Sequence, residues 1–303
     1  MRTLVLSLRP IFATAAIAIA TCAVSTAQYK FVPLSVPGST LTFPEGISNE
    51  NLIVGQYANS TGETYGFSYN PANGAWTDPI KSRGNTTVVA NAANSAGTIV
   101  GYYQTSTATY GMIDTGGVLS EFNESGCSNT VIAGINDYES GTMTGFCSLA
   151  NGDQEGWIGS PWNTVFKCFN ATHTMPVAIN NWGIVGGNYW TGSGLNITAN
   201  GFLSTAFGAC SLIAYPGAAY TSVGGLNDNG AISGSYSFGD TWNGFVYNDT
   251  YSTVNAPNAV TTVLSQINNN DWLVGMYVDA EGASHGFCAE PIAGESMLAE
   301  RVH

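Results

Sequence analysis

The sequence predicts an all-β protein, a six-bladed β-propeller of four-stranded blades that is closed by its N-terminal strand. Three observations lead to this prediction: one unit of about 44 residues occurs six times, each copy contains four short strand segments, and the two ends of the chain complement each other. Helices are disfavoured because no stretch keeps an apolar period of 3.6 residues and the chain contains 37 Gly.

Three anchors define the repeat. The first anchor is an apolar residue followed by Asn, or by Ser in the first unit: Ile47-Ser48, Ala93-Asn94, Ile135-Asn136, Ile179-Asn180, Leu226-Asn227 and Ile267-Asn268. The second anchor, seven to nine residues after the first, is Gly-x-Tyr, as in Gly55-Gln56-Tyr57. The third anchor is Gly followed by a large apolar residue, as in Gly66-Phe67.

The fifth unit illustrates the four strands. Ser222 to Leu226 and Ala231 to Tyr236 form a predicted hairpin around the turn Asp228-Asn229-Gly230. Gly244 to Tyr247 and Thr253 to Ala256 supply the third and fourth strands.

The chain ends predict closure of the ring. The sixth unit ends after its third strand, Gly286 to Ala289, whereas the segment Tyr29 to Gly38 resembles an isolated fourth strand. Radial closure protects strand edges that an open array would expose. A β-solenoid is the structural alternative, although solenoids normally have shorter coils and need capped ends.

The repeat resembles a known family. The pattern Ile-Asn-x-x-Gly-x-Ile-Val-Gly-x-Tyr, the element His285-Gly286-Phe287 and the step Tyr215-Pro216-Gly217-Ala218 look like the HAF-type repeats of predicted extracellular bacterial proteins. The resemblance covers residues 29 to 289. It implies secretion and a repeat β fold, and it implies no activity.

Residues 1–27 are predicted to be a secretory signal peptide. Arg2 and Arg9 precede the apolar run Ile11 to Ala20, which is too short to span a bilayer, and small residues follow at 25–27. We therefore expect a secreted protein, extracellular or periplasmic, with no membrane span. A lipoprotein anchored through Cys22 is the alternative.

The remaining chain is expected to form one propeller domain over residues 28–290 and a polar tail over residues 291–303. With 7 Lys and Arg against 20 Asp and Glu, the formal charge is −13. Such a surface repels phosphate backbones and anionic lipid, which disfavours nucleic-acid and membrane partners.

Five cysteines follow the signal, and an oxidising compartment favours disulfides. We predict a disulfide between Cys127 and Cys147, because Cys147 replaces the tyrosine of the second anchor and Cys127 lies in the loop that enters the same unit. No Cys-x-x-Cys pair occurs and the histidines are scattered, so the sequence predicts no metal site and no cofactor. The Asn-rich turns carry too few carboxylates for calcium loops and are interpreted as hairpin turns.

Aromatic residues give the functional hypothesis. In a four-stranded meander, the turns between strands one and two share one face with the turns between strands three and four. That face is predicted to carry a candidate ligand-binding set of aromatic residues: Trp76, Tyr138, Trp162, Trp182 and Trp272. The alternative is that each ring folds back on its own blade.

Two functions therefore remain open. The first is a secreted, noncatalytic binding or scaffold protein, a monomer that binds a carbohydrate or protein ligand. The second is a secreted glycan-active hydrolase or lyase on a propeller scaffold. No catalytic residue is assigned, since no histidine or nucleophile motif lies in a suitable context.

Overall fold

The computed structural model describes residues 29–81, 87–159, 164–192, 198–205 and 209–292. The predicted signal peptide with Cys22, the candidate Trp162 and residues 293–303 of the predicted tail lie outside these ranges. Within them all regular secondary structure is β, and the described residues include no helix long and apolar enough to cross a membrane.

The strands follow the repeat. The first strand is β1 (Tyr29–Leu34). The first three repeats contain β2 (Leu41–Ile47), β3 (Ile53–Ala58), β4 (Thr64–Asn70), β5 (Ala75–Ile80), β6 (Thr87–Ala93), β7 (Thr98–Gln104), β8 (Thr109–Thr115), β9 (Val118–Phe122), β10 (Asn129–Ile135), β11 (Met143–Ser148), β12 (Gln154–Ile158) and β13 (Thr164–Phe166). The last three contain β14 (His173–Ile179), β15 (Val185–Thr191), β16 (Thr198–Ser204), β17 (Cys210–Ile213), β18 (Tyr220–Leu226), β19 (Ile232–Phe238), β20 (Thr241–Asn248), β21 (Thr250–Thr253), β22 (Thr261–Ile267), β23 (Leu273–Val278) and β24 (Ser284–Pro291).

These strands form four-stranded antiparallel sheets arranged as a β-propeller. Separate sheets are formed by β2–β5, β6–β9, β18–β21 and β22–β24 with β1, while β10–β17 form one eight-stranded sheet. In the eight-stranded sheet β12 and β14 share one parallel pair, Gln154 with His173. The first strands β2, β6, β10, β14, β18 and β22 contact each other in that order, and β22 also contacts β2. This radial arrangement differs from the β-solenoid alternative.

The N-terminal strand joins the last repeat. β1 runs antiparallel to β24 in a register that extends from Tyr29 opposite Pro291 to Leu34 opposite Gly286. β24 is longer at both ends than the predicted strand Gly286 to Ala289. Its partner β1 therefore supplies the fourth strand of that sheet.

Each innermost strand carries a β-bulge at the same place in the repeat. In β2, for example, Pro44 pairs with Gly55 and Gly46 pairs with Val54, so Glu45 is left over. A Cβ on Gly55 would lie 2.2 Å from the carbonyl oxygen of Phe43, which explains the glycine of the second anchor. The extra residues of the six bulges are Glu45, Asn91, Ala133, Val177, Gly224 and Ser265.

The third anchor supplies the core. Its large side chains are almost completely buried: Phe67, Met112, Trp157, Phe202, Phe245 and Phe287. Each fully buried side chain of this size contributes roughly 2–3 kcal/mol of apolar transfer free energy.

Two disulfides bind loops to this framework. The first joins Cys127 and Cys147, the two cysteines that the sequence analysis paired, and the second joins Cys168 and Cys210. Cys288 is a free thiol buried in the core, and burial raises its pKa to about 11.

Candidate functional site

Six turns between the first and second strands meet around the axis of the propeller. We call the surface formed by residues 48–52, 94–98, 136–142, 180–184, 227–231 and 268–272 the turn face. A cavity of about 40 Å³ lies between these turns on the axis, and all six repeats line it. The turn face therefore brings equivalent residues of distant parts of the chain together.

An asparagine ring holds the turns together; it consists of Ser48, Asn94, Asn136, Asn180, Asn227 and Asn268, all 5% exposed or less. Each asparagine donates from Nδ2 to the main-chain oxygen of the equivalent residue in the next repeat, at 2.9 Å for Asn136 to Asn180 and at 2.9 Å for Asn268 back to Ser48. The amide oxygen accepts main-chain N–H groups of its own turn, as Asn180 does from Trp182 and Ile184. The sequence pattern predicts only turn formers at these positions and does not reveal the links between repeats.

The residues that follow the ring form a second set of links. Asp137 accepts the main-chain N–H of Ser95 through Oδ1 at 2.6 Å and the side-chain amide of Asn49 through Oδ2 at 2.8 Å. Asp228 accepts the main-chain N–H of Asn181 and the side-chain amide of Asn269. Both carboxylates thus stabilise the turn face. Across the described ranges, no group of three or more His, Cys, Asp or Glu is placed to hold a metal ion.

Trp182 is the most exposed aromatic residue of the turn face. Its side chain is 72% exposed, although the indole Nε1 donates to the carbonyl oxygen of Asp228 in the next repeat at 3.1 Å. Tyr138 occupies the equivalent turn of the preceding repeat and is 42% exposed. The hydrogen bond fixes the indole in one orientation while its ring stays accessible to solvent.

The other predicted aromatic residues do not share this position. Trp76 packs on Tyr69, with ring centroids 4.3 Å apart, and Trp272 packs against the same buried cluster around Phe67. The expectation that Trp76 and Trp272 are exposed at loop tips is wrong, because both rings fold back onto the core. Trp162 lies outside the described residues.

The turn face is acidic. Its turns carry Glu50, Asp137, Glu139, Asp228 and Asp271 and contain no Lys or Arg. Burial raises the pKa of Asp271, whereas Glu50 and Glu139 are exposed to solvent. A ligand that contacts Trp182 therefore meets a negative potential.

One histidine forms a polar pair elsewhere. His285 Nε2 lies 2.7 Å from Asp279 Oδ2, and its ring stacks on Tyr277. The bond to His285 lowers the pKa of Asp279. Both residues belong to the hairpin of β23 and β24, as the sequence interpretation of His285 as a strand-start residue implies.

The fold and the turn face define a β-propeller whose loops gather around a central axis. The Aleuria aurantia lectin in complex with alpha-methyl-L-fucoside has a similar structure, with 11% sequence identity, a TM-score of 0.52, and coverage of 86% of this chain and 95% of the lectin. The β-propeller domain of the Trilobed protease from Pyrococcus furiosus matches with 10% identity, a TM-score of 0.49, and coverage of 86% and 84%.

A third similar structure is an ulvan lyase, a polysaccharide lyase, with 11% identity, a TM-score of 0.37, and coverage of 85% of this chain and 84% of that chain. No protein-family model matches the sequence, and no curated protein matches it significantly. At identities this low, the similarity to the lectin concerns the fold.

Proposed function

We propose that the protein is a noncatalytic binding or scaffold protein of the cell envelope or extracellular space, and that its ligand binds on the turn face at Trp182 and Tyr138. The observation that carries the proposal is the exposed indole of Trp182, held by its hydrogen bond to Asp228. An aromatic ring that is fixed before binding loses little conformational entropy when a ligand stacks on it.

The charge distribution narrows the ligand class. Asp137 and Asp228 lie close to the two aromatic residues, and the chain as a whole has a formal charge of −13. An anionic ligand would be repelled, whereas an uncharged sugar ring or a cationic protein segment would not. A neutral glycan fits the exposed indole best, and the lectin with the similar fold binds alpha-methyl-L-fucoside.

The hydrolase or lyase alternative finds less support on this face. Glycoside hydrolysis needs two carboxyl groups that are available to substrate. Asp137 accepts hydrogen bonds from Ser95 and Asn49, and Asp228 accepts them from Asn181 and Asn269. These two carboxylates are engaged in holding the turns together, and the exposed acids of the face, Glu50 and Glu139, lie on turns of different repeats.

The architectural part of the proposal is a closed six-bladed ring over residues 28–290. The single pair between β12 and β14 favours two blades within the eight-stranded sheet, β10–β13 and β14–β17. The pairing of β1 with β24 and the bond from Asn268 to Ser48 both support closure. Deletion of residues 28–38 should then lower the cooperativity of unfolding; an unchanged thermal transition would contradict closure.

Export and family membership complete the proposal. Residues 1–27 are proposed to direct secretion, and the repeat is proposed to belong to the HAF type. The disulfides Cys127–Cys147 and Cys168–Cys210 support an oxidising compartment, where such bonds persist.

The test is a glycan array with the full-length protein, followed by titration of each ligand found. Trp182→Ala should weaken binding at least tenfold and leave the melting temperature within about 2 °C of the wild type, because a 72% exposed ring contributes little to the core. Phe238→Ala is the matched control, since Phe238 is 55% exposed at the end of β19, away from the turn face. Equal ligand binding by both variants and the wild type would refute the site.

A further inference from the structure

A second cavity lies on the axis among the innermost strands. It has a volume of about 290 Å³, and strands from all six repeats line it. Bulge residues of the first strands reach it, among them Glu45, Asn91 and Ser265. A bulge redirects a side chain that a regular strand would place elsewhere, so these six bulges shape the wall of the cavity.

The two side-chain amides of this wall are already bonded to the main chain. The amide of Asn91 donates to the carbonyl oxygen of Ile132 at 2.8 Å. Asn188 uses both ends of its amide on the main chain of Val223, at 2.9 Å and 2.8 Å. These bonds stiffen the wall and occupy the Nδ2 group of Asn91 and both ends of the Asn188 amide.

Glu45 is different. One carboxylate oxygen accepts the side-chain amide of Gln56 at 2.8 Å, and the other accepts no hydrogen bond from any residue in the described ranges. Among the described lining residues Glu45 is the sole carboxylate, and the lining includes no Lys or Arg. The cavity therefore contains one uncompensated acidic group.

Aromatic rings lie on the same side of the cavity as this carboxylate. Phe43 and Glu45 come from the first repeat, Tyr102 from the second and Phe146 from the third, and these repeats contact one another in sequence order. The lining from the other three repeats combines apolar side chains such as Val177 and Leu264 with the main-chain-bonded amide of Asn188. A carboxylate beside aromatic faces is the chemistry that recognises an ammonium group with apolar substituents.

Other ligand classes fit less well. An anion would meet Glu45 without a counter-charge, and a divalent metal ion would find one carboxylate where it needs several oxygen ligands. A sugar would need amide donors, and the Nδ2 groups of Asn91 and Asn188 both donate to the main chain instead.

We propose that the axial cavity binds a small organic cation, an alkylammonium or quaternary ammonium group, with Glu45 as its counter-ion and Phe43, Tyr102 and Phe146 as aromatic walls. This site is separate from the proposed ligand site at Trp182. Burial raises the pKa of Glu45 to about 7, and the hydrogen bond from Gln56 opposes that rise. Tyr102 is the other titratable side chain in the described lining, and burial next to Glu45 raises its pKa as well. A bound cation favours the ionised carboxylate, so binding should release a proton near neutral pH.

Calorimetric titration of the full-length protein with choline tests the proposal. The matched probe is the uncharged tert-butyl analogue of choline, which has the same shape without the charge. Choline should bind at least tenfold more tightly than this analogue. Its apparent binding enthalpy at neutral pH should vary with the ionisation enthalpy of the buffer, as proton release requires.

Two variants distinguish the contribution of the Glu45 charge to choline binding from that of the apolar cavity wall. Glu45→Gln keeps the side-chain volume and should reduce choline affinity at least tenfold, while Glu281→Gln, in an exposed turn, should leave it unchanged. Phe146→Leu, which keeps an apolar wall, should reduce choline affinity several-fold and should serve as the test if Glu45→Gln does not fold. Absence of choline binding, equal affinity for the uncharged analogue, or full choline affinity in Glu45→Gln or Phe146→Leu would overturn the proposal.

Discussion

The asparagine ring should contribute to stability at the junction between the last and first repeats. Asn268 is 2% exposed and donates from Nδ2 to Ser48 O at 2.9 Å and to Asn51 Oδ1 at 2.7 Å. Its Oδ1 accepts the main-chain N–H groups of Asn270 and Trp272, each at 3.0 Å. One side chain therefore makes two bonds across the junction and two within its own turn.

Two substitutions separate these roles. Asn268→Ser should keep a turn acceptor, because Ser48 fulfils that role in the first repeat by accepting the N–H of Leu52. It loses both bonds across the junction, which at about 1 kcal/mol each lowers the free energy of unfolding by about 2 kcal/mol. Asn268→Ala also leaves two turn donors without their acceptor and should cost about 4 kcal/mol in total.

Chemical denaturation and calorimetry measure both values. For a domain of this size, 2 kcal/mol corresponds to a fall of roughly 4–8 °C in melting temperature. Asn270→Ser is the control, since Asn270 donates to Asn49 O from an exposed position, where water replaces the lost bond. If Asn268→Ser is as stable as Asn270→Ser, the buried links across the junction do not stabilise the ring and the reasoning fails.

Three further predictions concern single features. Serine at both Cys127 and Cys147 should lower the free energy of unfolding by about 3 kcal/mol, because the bond closes a 20-residue loop, and calorimetry of oxidised protein checks this against the intact form. Trp272→Ala should destabilise the fold by about 2 kcal/mol or more, since the ring packs on the core; a melting temperature equal to that of Trp182→Ala would contradict this. The pKa of Glu45 is about 7 in the native state, whereas its ordinary value of 4.5 applies in the unfolded state. The free energy of unfolding should therefore fall by about 3 kcal/mol as the pH rises from 4.5 to 7, and it should stay level above pH 7. Denaturation of Glu45→Gln across the same window should lack that fall, and an equal fall in the variant would show that other groups cause it.

The repeat can be recognised in the sequence, but the β-bulge cannot. Gly55 and its equivalents are visible as anchors, because in every copy a Cβ at this position would collide with the carbonyl oxygen of the residue two before the bulge, Phe43 in the first repeat. The bulge residue itself is Glu45 in one repeat and Val177 in another, so no common residue type marks it. The sequence alone therefore does not show which residue of each first strand faces the central cavity; this requires the pairing register of the strands.

Trp182 and Trp272 differ in exposure because they occupy different positions within their turns. Trp182 stands two residues after its ring asparagine, and Trp272 stands four residues after Asn268. The position four residues on is occupied in the fourth repeat by Ile184, which packs against a buried cluster. Alignment of the six turns residue by residue would have assigned Trp272 to the core and left Trp182 exposed.

Ser48 has a consequence for how the molecule comes apart. It is the one member of the asparagine ring without an amide donor. Among the described residues, no side-chain hydrogen bond joins the first repeat directly to the second. Every other neighbouring pair of repeats has at least one such bond, for example from Asn91 to Ile132. Asn49 instead reaches past the second repeat to Asp137. We therefore predict that the propeller opens first between its first two repeats, away from the junction where the chain ends meet, and that native-state hydrogen exchange begins there.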